Sequence, residues 1–390
     1  MIIGIIGAPN KGKSTLFSAM TMVDAKIANY PFTTVDPNKG VCYASVECAE
    51  AKIGKKCNPR NSICMNGHRF IPINVVDVAG LVPGAHEGKG MGNQFLSDLS
   101  MADAFIIVVD ATGKTDQEGN SCDYSDPAED VKMVVDELVE WISGIIERHM
   151  PSLSKRDDGI AAMCELLTGL KIGKREIEET IDKLALTSSR INWNDVGIER
   201  FSRSILMASK RFIVAANKSD AKSEKAMASL RQYCSSNSIA VVECSAAIEL
   251  ALRKASSSGA IRYEPGSRSF EVTGTINEEQ GKALERMAAF LKNQGTNVQE
   301  LINTLVFSTM HFIVVYPVED ENKFTDHYGN VLPDAVLLAD GSTAQELAAA
   351  IHSEIAKNML YAINAITKMR IGKDHKLADG DIIKIVSAAR

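Results

Sequence analysis

Gly7-Ala-Pro-Asn-Lys-Gly12-Lys13-Ser14 is the stretch of sequence that decides the fold. It lies between an apolar run, Ile2–Ile6, and a helical pattern that begins near Lys13, as the phosphate-binding pattern G-x-x-x-x-G-K-[ST] requires. The glycines let backbone amides close around phosphate oxygens, and the helix N-terminus adds partial positive charge. We expect Lys13 to reach the β- and γ-phosphates of a nucleotide and Ser14 to ligate Mg²⁺. The other loop residues expected to contact the nucleotide are Asn10, Lys11, Gly12 and Thr15.

Further apolar runs predict the rest of an α/β fold. Continuous runs of this kind suit strands of a parallel sheet that is buried on both faces. Because they alternate with helical patterns, we predict a doubly wound, mainly parallel sheet. The runs are residues 70–77, Phe105–Val109, Phe212–Ala215 and Ile239–Val242.

Two other parts of the chain have a different character. Between about Pro127 and Lys210 strand signals vanish and apolar residues recur at helical spacing, which predicts an all-helical insertion. Near the C-terminus, a strand-like run at His311–Val318, a long helical pattern within Ser342–Ile366 and a final strand indicate a small β-grasp domain. The predicted organisation is a nucleotide-binding domain over 1–123 and 211–258, a helical insertion over 124–210, a mostly helical connector over 259–309 and a β-grasp domain over 310–390.

A second phosphate-site motif ends one of the predicted strands. Val75-Val76-Asp77-Val78-Ala79-Gly80 is an apolar strand that ends in D-x-x-G. A carboxylate in the position of Asp77 can hold Mg²⁺ through water. The amide of Gly80 can contact a γ-phosphate and sense its loss.

A third motif, Asn217-Lys218-Ser219-Asp220, follows another strand and predicts a guanine site. Asp220 can accept hydrogen bonds from guanine N1–H and from the exocyclic amine. Adenine has neither donor there, so a buried carboxylate would lose its partners. We expect Lys218 to lie over the base, and Ser245-Ala246-Ala247 to supply a backbone amide to guanine O6. The predicted ligands are therefore GTP and GDP.

These motifs stand in the order of a translation-factor-type GTPase. Residues 29–40, Asn-Tyr-Pro-Phe-Thr-Thr-Val-Asp-Pro-Asn-Lys-Gly, resemble switch I of the Obg-related GTPases, and the glycine-rich residues 80–95 resemble their switch II. With the helical insertion and a C-terminal TGS-type β-grasp domain, nearly the whole chain resembles the archaeal form of the YchF-like branch. Many YchF-type proteins carry an altered fourth motif and prefer ATP, whereas this chain keeps Asp220. The resemblance implies a ribosome or RNA partner that meets the helical and TGS domains.

Slow intrinsic hydrolysis is expected from the residue that follows D-x-x-G. Ras-like enzymes place a water-orienting glutamine there, and this chain has Leu81. His86 is the nearest titratable candidate for water positioning; the alternative is an ordinary loop histidine. Either Thr33 or Thr34 closes on Mg²⁺ and the γ-phosphate, and spacing does not choose between them. The residues assigned to catalysis are Lys13, Thr34, Gly80 and His86.

Asn10 suggests that K⁺ stimulates the reaction. In some GTPases that lack the glutamine, an asparagine at this phosphate-loop position helps bind K⁺, which supplies positive charge near the transferring phosphate. The alternative is that Asn10 only shapes the loop.

The cysteines allow two interpretations. The chain has 8 cysteines scattered along it, unlike a disulfide framework. Cys42, Cys48, Cys57 and Cys64, with His68, cluster between the two switches. Zinc sites usually contain a tight C-x₂₋₄-C pair. Because the spacings here are looser, reduced structural thiols are favoured over a metal site.

Composition and charge exclude several classes of protein. A net charge of −6 over 390 residues argues against bulk attraction to nucleic acid. No run approaches the roughly 20 apolar residues of a membrane span, and Met1–Pro9 lacks the features of a signal peptide, so we expect a cytoplasmic protein without a membrane partner.

Two alternatives to a GTPase switch remain: an ATP-preferring hydrolase of the same fold and a nucleotide-binding scaffold with negligible turnover. A local basic stretch could contact RNA phosphates, although such runs are more often solvated loops: Lys368, Arg370, Lys373, His375 and Lys376.

Overall fold

The computed structural model describes residues 1–21, 38–78, 80–81, 84, 100–153, 156, 158–184 and 197–388. Three predicted site residues lie outside these ranges: Thr33, Thr34 and His86.

A seven-stranded sheet forms the centre of the nucleotide-binding part. Its spatial order is β2-β4-β1-β5-β6-β7, with β3 paired to β4. Strands β1, β4, β5, β6 and β7 run parallel, and β2 and β3 are antiparallel to β4. The predicted mainly parallel α/β fold is thereby confirmed. The strands are β1 Ile2–Ile6, β2 Lys39–Glu47, β3 Ile63–Met65, β4 His68–Asp77, β5 Ala104–Asp110, β6 Arg211–Asn217 and β7 Ala240–Glu243.

Helices cover both faces of this sheet. Alternate side chains of a strand point to opposite faces, and because the central strands are apolar throughout, both faces carry apolar side chains that must be buried. Ile6, Phe105 and Ile107 face the insertion, and their neighbours Ile5 and Ile106 belong to the core of the other face. Within the described ranges up to residue 257, the helices are α1 Lys13–Thr21, α2 Glu50–Ile53, α3 Pro127–Leu153, α4 Gly159–Leu167, α5 Lys174–Lys183, α6 Ile198–Ser209, α7 Glu224–Ser236 and α8 Ala246–Ser257, with 3₁₀ turns at Thr168–Leu170 and Ser219–Ala221.

The helices of the insertion pack on the sheet through their apolar stripes. Val131, Leu138 and Ile142 of α3 are buried against the Phe105 face. Pro151 lies within the last turn of this helix. No helix in the described ranges combines the length and apolar character needed to cross a membrane.

Residues 261–309 form a hairpin and helices, and part of this segment packs on the central sheet. A hairpin absent from the sequence prediction pairs β8 Ile261–Tyr263 with β9 Phe270–Val272. Helix α9 Glu278–Asn293 follows, and α10 Val298–Asn303 continues into a π-helical turn at Thr304–Thr309. Val298, Leu301 and Val306 are fully buried in the core that contains Ile5, so this segment completes the second layer of the sheet.

The C-terminal part forms a separate five-stranded sheet in the order β11-β10-β14-β12-β13. The single long helical pattern expected within Ser342–Ile366 is wrong. His352 adopts extended backbone at φ −166° and ψ 135°, which ends one helix, and its Nδ1 accepts from the Glu354 amide to cap the next. The elements are β10 Phe312–Val318, β11 Val336–Ala339, α11 Ala344–Ile351, α12 Ser353–Asn358, β12 Met359–Asn364, β13 Arg370–Ile371 and β14 Ile382–Ser387.

Candidate nucleotide-binding site

The phosphate loop between β1 and α1 needs glycine at two positions. Gly7 has φ +144°, and a Cβ there would lie 2.5 Å from the Val108 carbonyl oxygen. Gly12 has φ +95°, and a Cβ there would overlap the Asn217 side-chain amide. The loop can therefore sit against β5 and against the end of β6 only because both residues lack side chains.

Lys13 and Gly80 lie next to each other at the predicted phosphate position. The Lys13 Nζ donates to the Ala8 carbonyl at 2.8 Å, and a Cβ built on Gly80 would lie 3.2 Å from the same Nζ. Burial lowers the pKa of Lys13, and the negative charge of Asp77 opposes that shift. The first two motifs thus meet, as their sequence order predicts. Ser14 is exposed and Thr15 half-buried at the start of α1.

Asp77 is brought to Ser14 by the parallel pairing of β4 with β1, which sets Asp77 beside Ile5. Burial raises the pKa of Asp77, while a hydrogen bond from Ser14 and the charge of Lys13 lower it. Its Oδ1 is buried without a hydrogen-bond partner among the described residues. An orphaned carboxylate oxygen beside a hydroxyl is a donor set that suits a hard divalent cation such as Mg²⁺.

Asn217 joins three motifs on the predicted guanine side. Its Nδ2 donates to the Lys11 carbonyl at 3.0 Å, and its Oδ1 accepts from the Ala246 amide at 3.1 Å. The Ala246 amide is therefore already engaged, whereas Ala247 is exposed in the first turn of α8, where amides lack intrahelical partners. Exposed Asp220 accepts from the hydroxyl of buried Ser245 at 2.6 Å, which orients its carboxylate.

Asp110, at the end of β5, was missed by the sequence analysis. It is 1% exposed, and its Oδ2 accepts from Lys218 Nζ at 2.8 Å and from Thr115 Oγ1 at 2.6 Å. Burial raises the pKa of Asp110, but hydrogen bonds from Lys218, Thr115 and Thr112 outweigh burial and hold it below its ordinary value. Lys218 also donates to the Asn10 carbonyl at 3.2 Å, so Asp110 positions a predicted base-contacting residue against the phosphate loop.

The segment after β5 closes over the phosphate loop. The Lys11 side chain is fully buried; its Nζ donates to the Thr115 carbonyl at 2.6 Å and pairs with Asp130 of α3 at 2.7 Å. Asn10 Nδ2 donates to the Gly119 carbonyl at 2.9 Å. Burial raises the pKa of Asp130 to about 6, and the hydrogen bond and positive charge of Lys11 oppose that shift. The Lys11 side chain thus anchors the insertion, while its backbone forms part of the phosphate loop.

Leu81 has its side chain in the protein core. It is 1% exposed, and its amide donates to the Gly7 carbonyl at 3.1 Å. Further along, the Gly84 amide donates to Glu137 of α3 at 2.6 Å. The segment after D-x-x-G is therefore attached both to the phosphate loop and to the helical insertion.

Of the site residues that the sequence analysis missed, Asp110 could have been found from the local sequence, whereas Asp130 and Glu137 could not. Asp110 ends a fully buried strand, and a carboxylate at such a strand end is a candidate site residue. Asp130 and Glu137 look like ordinary polar positions of an amphipathic helix, and only the tertiary fold brings them to Lys11 and Gly84.

Comparisons with known proteins agree with this architecture. The chain matches the families described as "50S ribosome-binding GTPase" at residues 2–138, "Obg-like GTPase YGR210-like, G4 motif-containing domain" at 215–320 and "TGS domain" at 328–387. It is 46% identical over 395 residues to "Uncharacterized GTP-binding protein MJ1332" of Methanocaldococcus jannaschii, covering 100% of both chains. It is 30% identical over 258 residues to "Ribosome-binding ATPase YchF" of Bacillus subtilis, covering 63% of this chain and 65% of that protein.

A solved structure also matches along the whole chain. The crystal structure of a GTP binding protein from Pyrococcus horikoshii OT3 superposes with a TM-score of 0.80 at 37% identity and covers 100% of both chains. The sheet order, the phosphate loop and the Asn217–Asp220 loop define the class of P-loop proteins with the GTPase fold. The chain belongs to the Obg-like, YchF-related family of GTP-binding proteins that carry a C-terminal TGS domain.

Proposed function

We propose that this chain binds GTP and GDP, hydrolyses GTP slowly with Mg²⁺, and acts as a nucleotide-dependent switch. The observation that carries the guanine preference is the Asp220 carboxylate, oriented by the Ser245 hydroxyl at 2.6 Å beside the Asn217 contact to the phosphate loop. Guanine satisfies that carboxylate with two N–H donors, and adenine offers neither.

The competing proposal is an ATP-preferring hydrolase, which the name of the Bacillus subtilis relative supports. Direct titration of GDP and ADP, followed calorimetrically, distinguishes the two. We expect GDP to bind at least about 100-fold more tightly than ADP. Asp220→Asn should lose guanine and gain xanthine nucleotides, while Asp123→Asn, a change at an exposed loop position, should leave the preference unchanged. Tighter ADP binding by the unmodified chain would reject the guanine assignment.

Ser14 and Asp77 are the described residues that would hold Mg²⁺, with Thr33 or Thr34 proposed as the switch ligand. Mg²⁺, when bound there, would supply positive charge to the phosphates of the nucleotide. Lys13 supplies a second cation beside Gly80, and the backbone amides of the phosphate loop would orient the phosphates.

Slow turnover is proposed from the buried position of Leu81, whose side chain cannot hydrogen-bond a water. Multiple-turnover phosphate release separates this proposal from a scaffold with negligible turnover. Lys13→Ala should abolish release, and Lys114→Ala, an exposed lysine in the segment after β5, should not. Release retained by Lys13→Ala would mean a contaminant or another site. His86 remains a proposed water-positioning residue.

Stimulation by K⁺ is proposed for the same reaction. Asn10 has φ +60°, and its Nδ2 bonds to Gly119 while its Oδ1 is the ligand atom available to a cation. We expect faster phosphate release in K⁺ than in Na⁺ at equal ionic strength. Equal rates would leave Asn10 with the loop-shaping role alone.

A ribosome or its RNA is the proposed partner, as the name of the YchF relative suggests, and it would place the chain in the cytoplasm. The TGS part offers a suitable surface: the Arg370 guanidinium lies 3.7 Å from the Tyr361 ring centroid, and Leu360 and Met369 are 56% and 63% exposed. Co-sedimentation with ribosomes should be stronger with a GTP analogue than with GDP, and Arg370→Glu should weaken it. Identical pelleting in both nucleotide states would contradict the switch.

A further inference from the structure

Three cysteines from one stretch of the chain come together with a glutamate at the joint between the two sheets. Cys48 follows β2, Glu50 opens α2, Cys57 lies in the next loop and Cys64 is on β3. Their sulfur and carboxylate oxygen atoms all lie within 4.8 Å of one another. Two members of the cluster suggested by the sequence lie elsewhere: Cys42 is buried in the sheet core, and His68 pairs with Glu264 at 3.2 Å. Glu50 lies with the three remaining cysteines instead.

The spacing of the four ligand atoms fits one tetrahedral ion. Zn–S bonds of about 2.3 Å at tetrahedral angles separate two sulfurs by about 3.8 Å. Cys48 Sγ and Cys57 Sγ are 3.7 Å apart, too far for a disulfide, and all eight cysteines are free. Glu50 is already oriented, because its Oε2 accepts from the Cys57 amide at 2.9 Å, which leaves Oε1 as the ligand atom.

A buried cation beside the cluster supplies an independent argument. Arg69 is 0% exposed and lies opposite Cys64 in the pairing of β3 with β4. Within the described part of the chain its guanidinium donates to Ser62 Oγ and the Leu332 carbonyl, and no carboxylate pairs with it. A fully buried cation needs a compensating negative charge nearby. Three thiolates and one carboxylate around Zn²⁺ carry a net charge of −2, which Arg69 would partly balance.

We propose that Cys48, Cys57, Cys64 and Glu50 bind a structural Zn²⁺ ion. The ion holds the segment from 48 to 64, which docks on the TGS part. The Asn58 amide donates to the Val331 carbonyl at 2.8 Å, and the Arg60 amide to the Pro333 carbonyl at 2.7 Å. The same segment shares a core with the C-terminal sheet, in which Cys48 contacts the cluster of Tyr316 and Leu332. Zn²⁺ therefore stabilises the joint between the two sheets.

The test uses the full chain, purified without chelator or added metal. Elemental analysis should find about one zinc per chain. Exchange with Co²⁺ should produce the visible bands of tetrahedral cobalt and a thiolate charge-transfer band, a readout that needs no variant. Cys57→Ser and Cys64→Ser should each lose most of the zinc, and Cys122→Ser, a half-buried cysteine outside the cluster, should keep it. Zinc removal should lower the unfolding midpoint of the unmodified chain.

Three results would overturn the proposal. The first is wild-type protein that contains less than about a tenth of a zinc per chain and shows no thiolate–cobalt band. The second is zinc retained at full stoichiometry by both Cys57→Ser and Cys64→Ser. The third is a Cys48–Cys57 disulfide in protein prepared under reducing conditions, since oxidised sulfurs cannot serve as thiolate ligands.

Discussion

Asp110→Asn is expected to destabilise the chain and weaken nucleotide binding at the same time. The Asp110 carboxylate accepts hydrogen bonds from the Thr112 amide at 2.9 Å, Thr112 Oγ1 at 2.7 Å, Thr115 Oγ1 at 2.6 Å and Lys218 Nζ at 2.8 Å. Both carboxylate oxygens are therefore used. Asparagine keeps one acceptor oxygen and turns an NH₂ group toward donors that need an acceptor.

The expected loss follows from the burial of the two partners. Hydrogen bonds to a charged group contribute about 1.5–3 kcal/mol each in net terms, and breaking a buried ion pair from one side costs about 3–5 kcal/mol. Asp110 is 1% exposed, but the Lys218 side chain is 37% exposed and regains water, so the ion-pair figure must be discounted. We expect the free energy of unfolding to fall by about 2–4 kcal/mol. GDP affinity should fall about 10-fold, because Lys218 is no longer held against the phosphate loop.

The assay is urea unfolding followed by circular dichroism, together with GDP titration of the folded protein. Asp103→Asn is the matched control, since Asp103 immediately precedes β5 but is 30% exposed; its Oδ1 pairs with Lys171 at 2.7 Å, and its Oδ2 accepts from the Ile2 amide at 2.7 Å, a bond for which asparagine keeps an acceptor oxygen. A surface pair of this kind contributes up to about 1 kcal/mol. An Asp110→Asn protein as stable as Asp103→Asn, with unchanged GDP affinity, would refute the assigned role.

The pH dependence gives a second check. Burial raises the pKa of Asp110, but its hydrogen bonds outweigh burial and leave the folded-state pKa below the unfolded value of about 3.9. A depressed folded pKa contributes stability that is present above the unfolded pKa and lost as pH falls through the folded one. The stability difference between wild type and Asp110→Asn should therefore shrink below about pH 4. A difference that stays constant down to pH 3 would contradict this ion pair.

Three further changes test other contacts. Gly12→Ala places a Cβ against the Asn217 amide and should lower GDP affinity about 100-fold by calorimetry; normal affinity would mean that the Asn217 contact is dispensable. Leu81→Gln buries an amide and should cost about 2–4 kcal/mol of unfolding free energy without faster phosphate release; accelerated release would show that residue 81 can reach the attacking water. Glu137→Ala removes the acceptor of the Gly84 amide and should reduce the difference in hydrogen exchange of α3 between GTP-analogue and GDP states. An unchanged difference would exclude that contact as the link.

Elements that depend on the local pattern of residues could be predicted from the sequence, whereas contacts that depend on tertiary partners could not. The parallel strands were predictable because runs such as the first six residues of β5, Ala104 to Val109, are apolar throughout and buried on both faces. Strand β2 escaped because it lies at the sheet edge, where only alternate residues such as Cys42 and Ala44 are buried. The break at His352 escaped because the apolar spacing of Leu347, Ile351 and Ile355 continues through it, and backbone conformation alone interrupts the helix.

The two contacts of α3 with the nucleotide site differ in a way that suits a switch. Asp130 and Glu137 are seven residues apart, close to two helical turns, so they share one face and are separated by about 10 Å along the axis. The Asp130 contact is a buried ion pair to Lys11 of the phosphate loop, which binds nucleotide in either state. The Glu137 contact goes to Gly84, in the segment that γ-phosphate would order. In the proposed switch, one end of this stretch of helix would be anchored irrespective of nucleotide, and the other would be held by a segment that changes with the nucleotide state. Under the proposed function, release of Gly84 would let α3 pivot about Asp130 and carry the insertion with it.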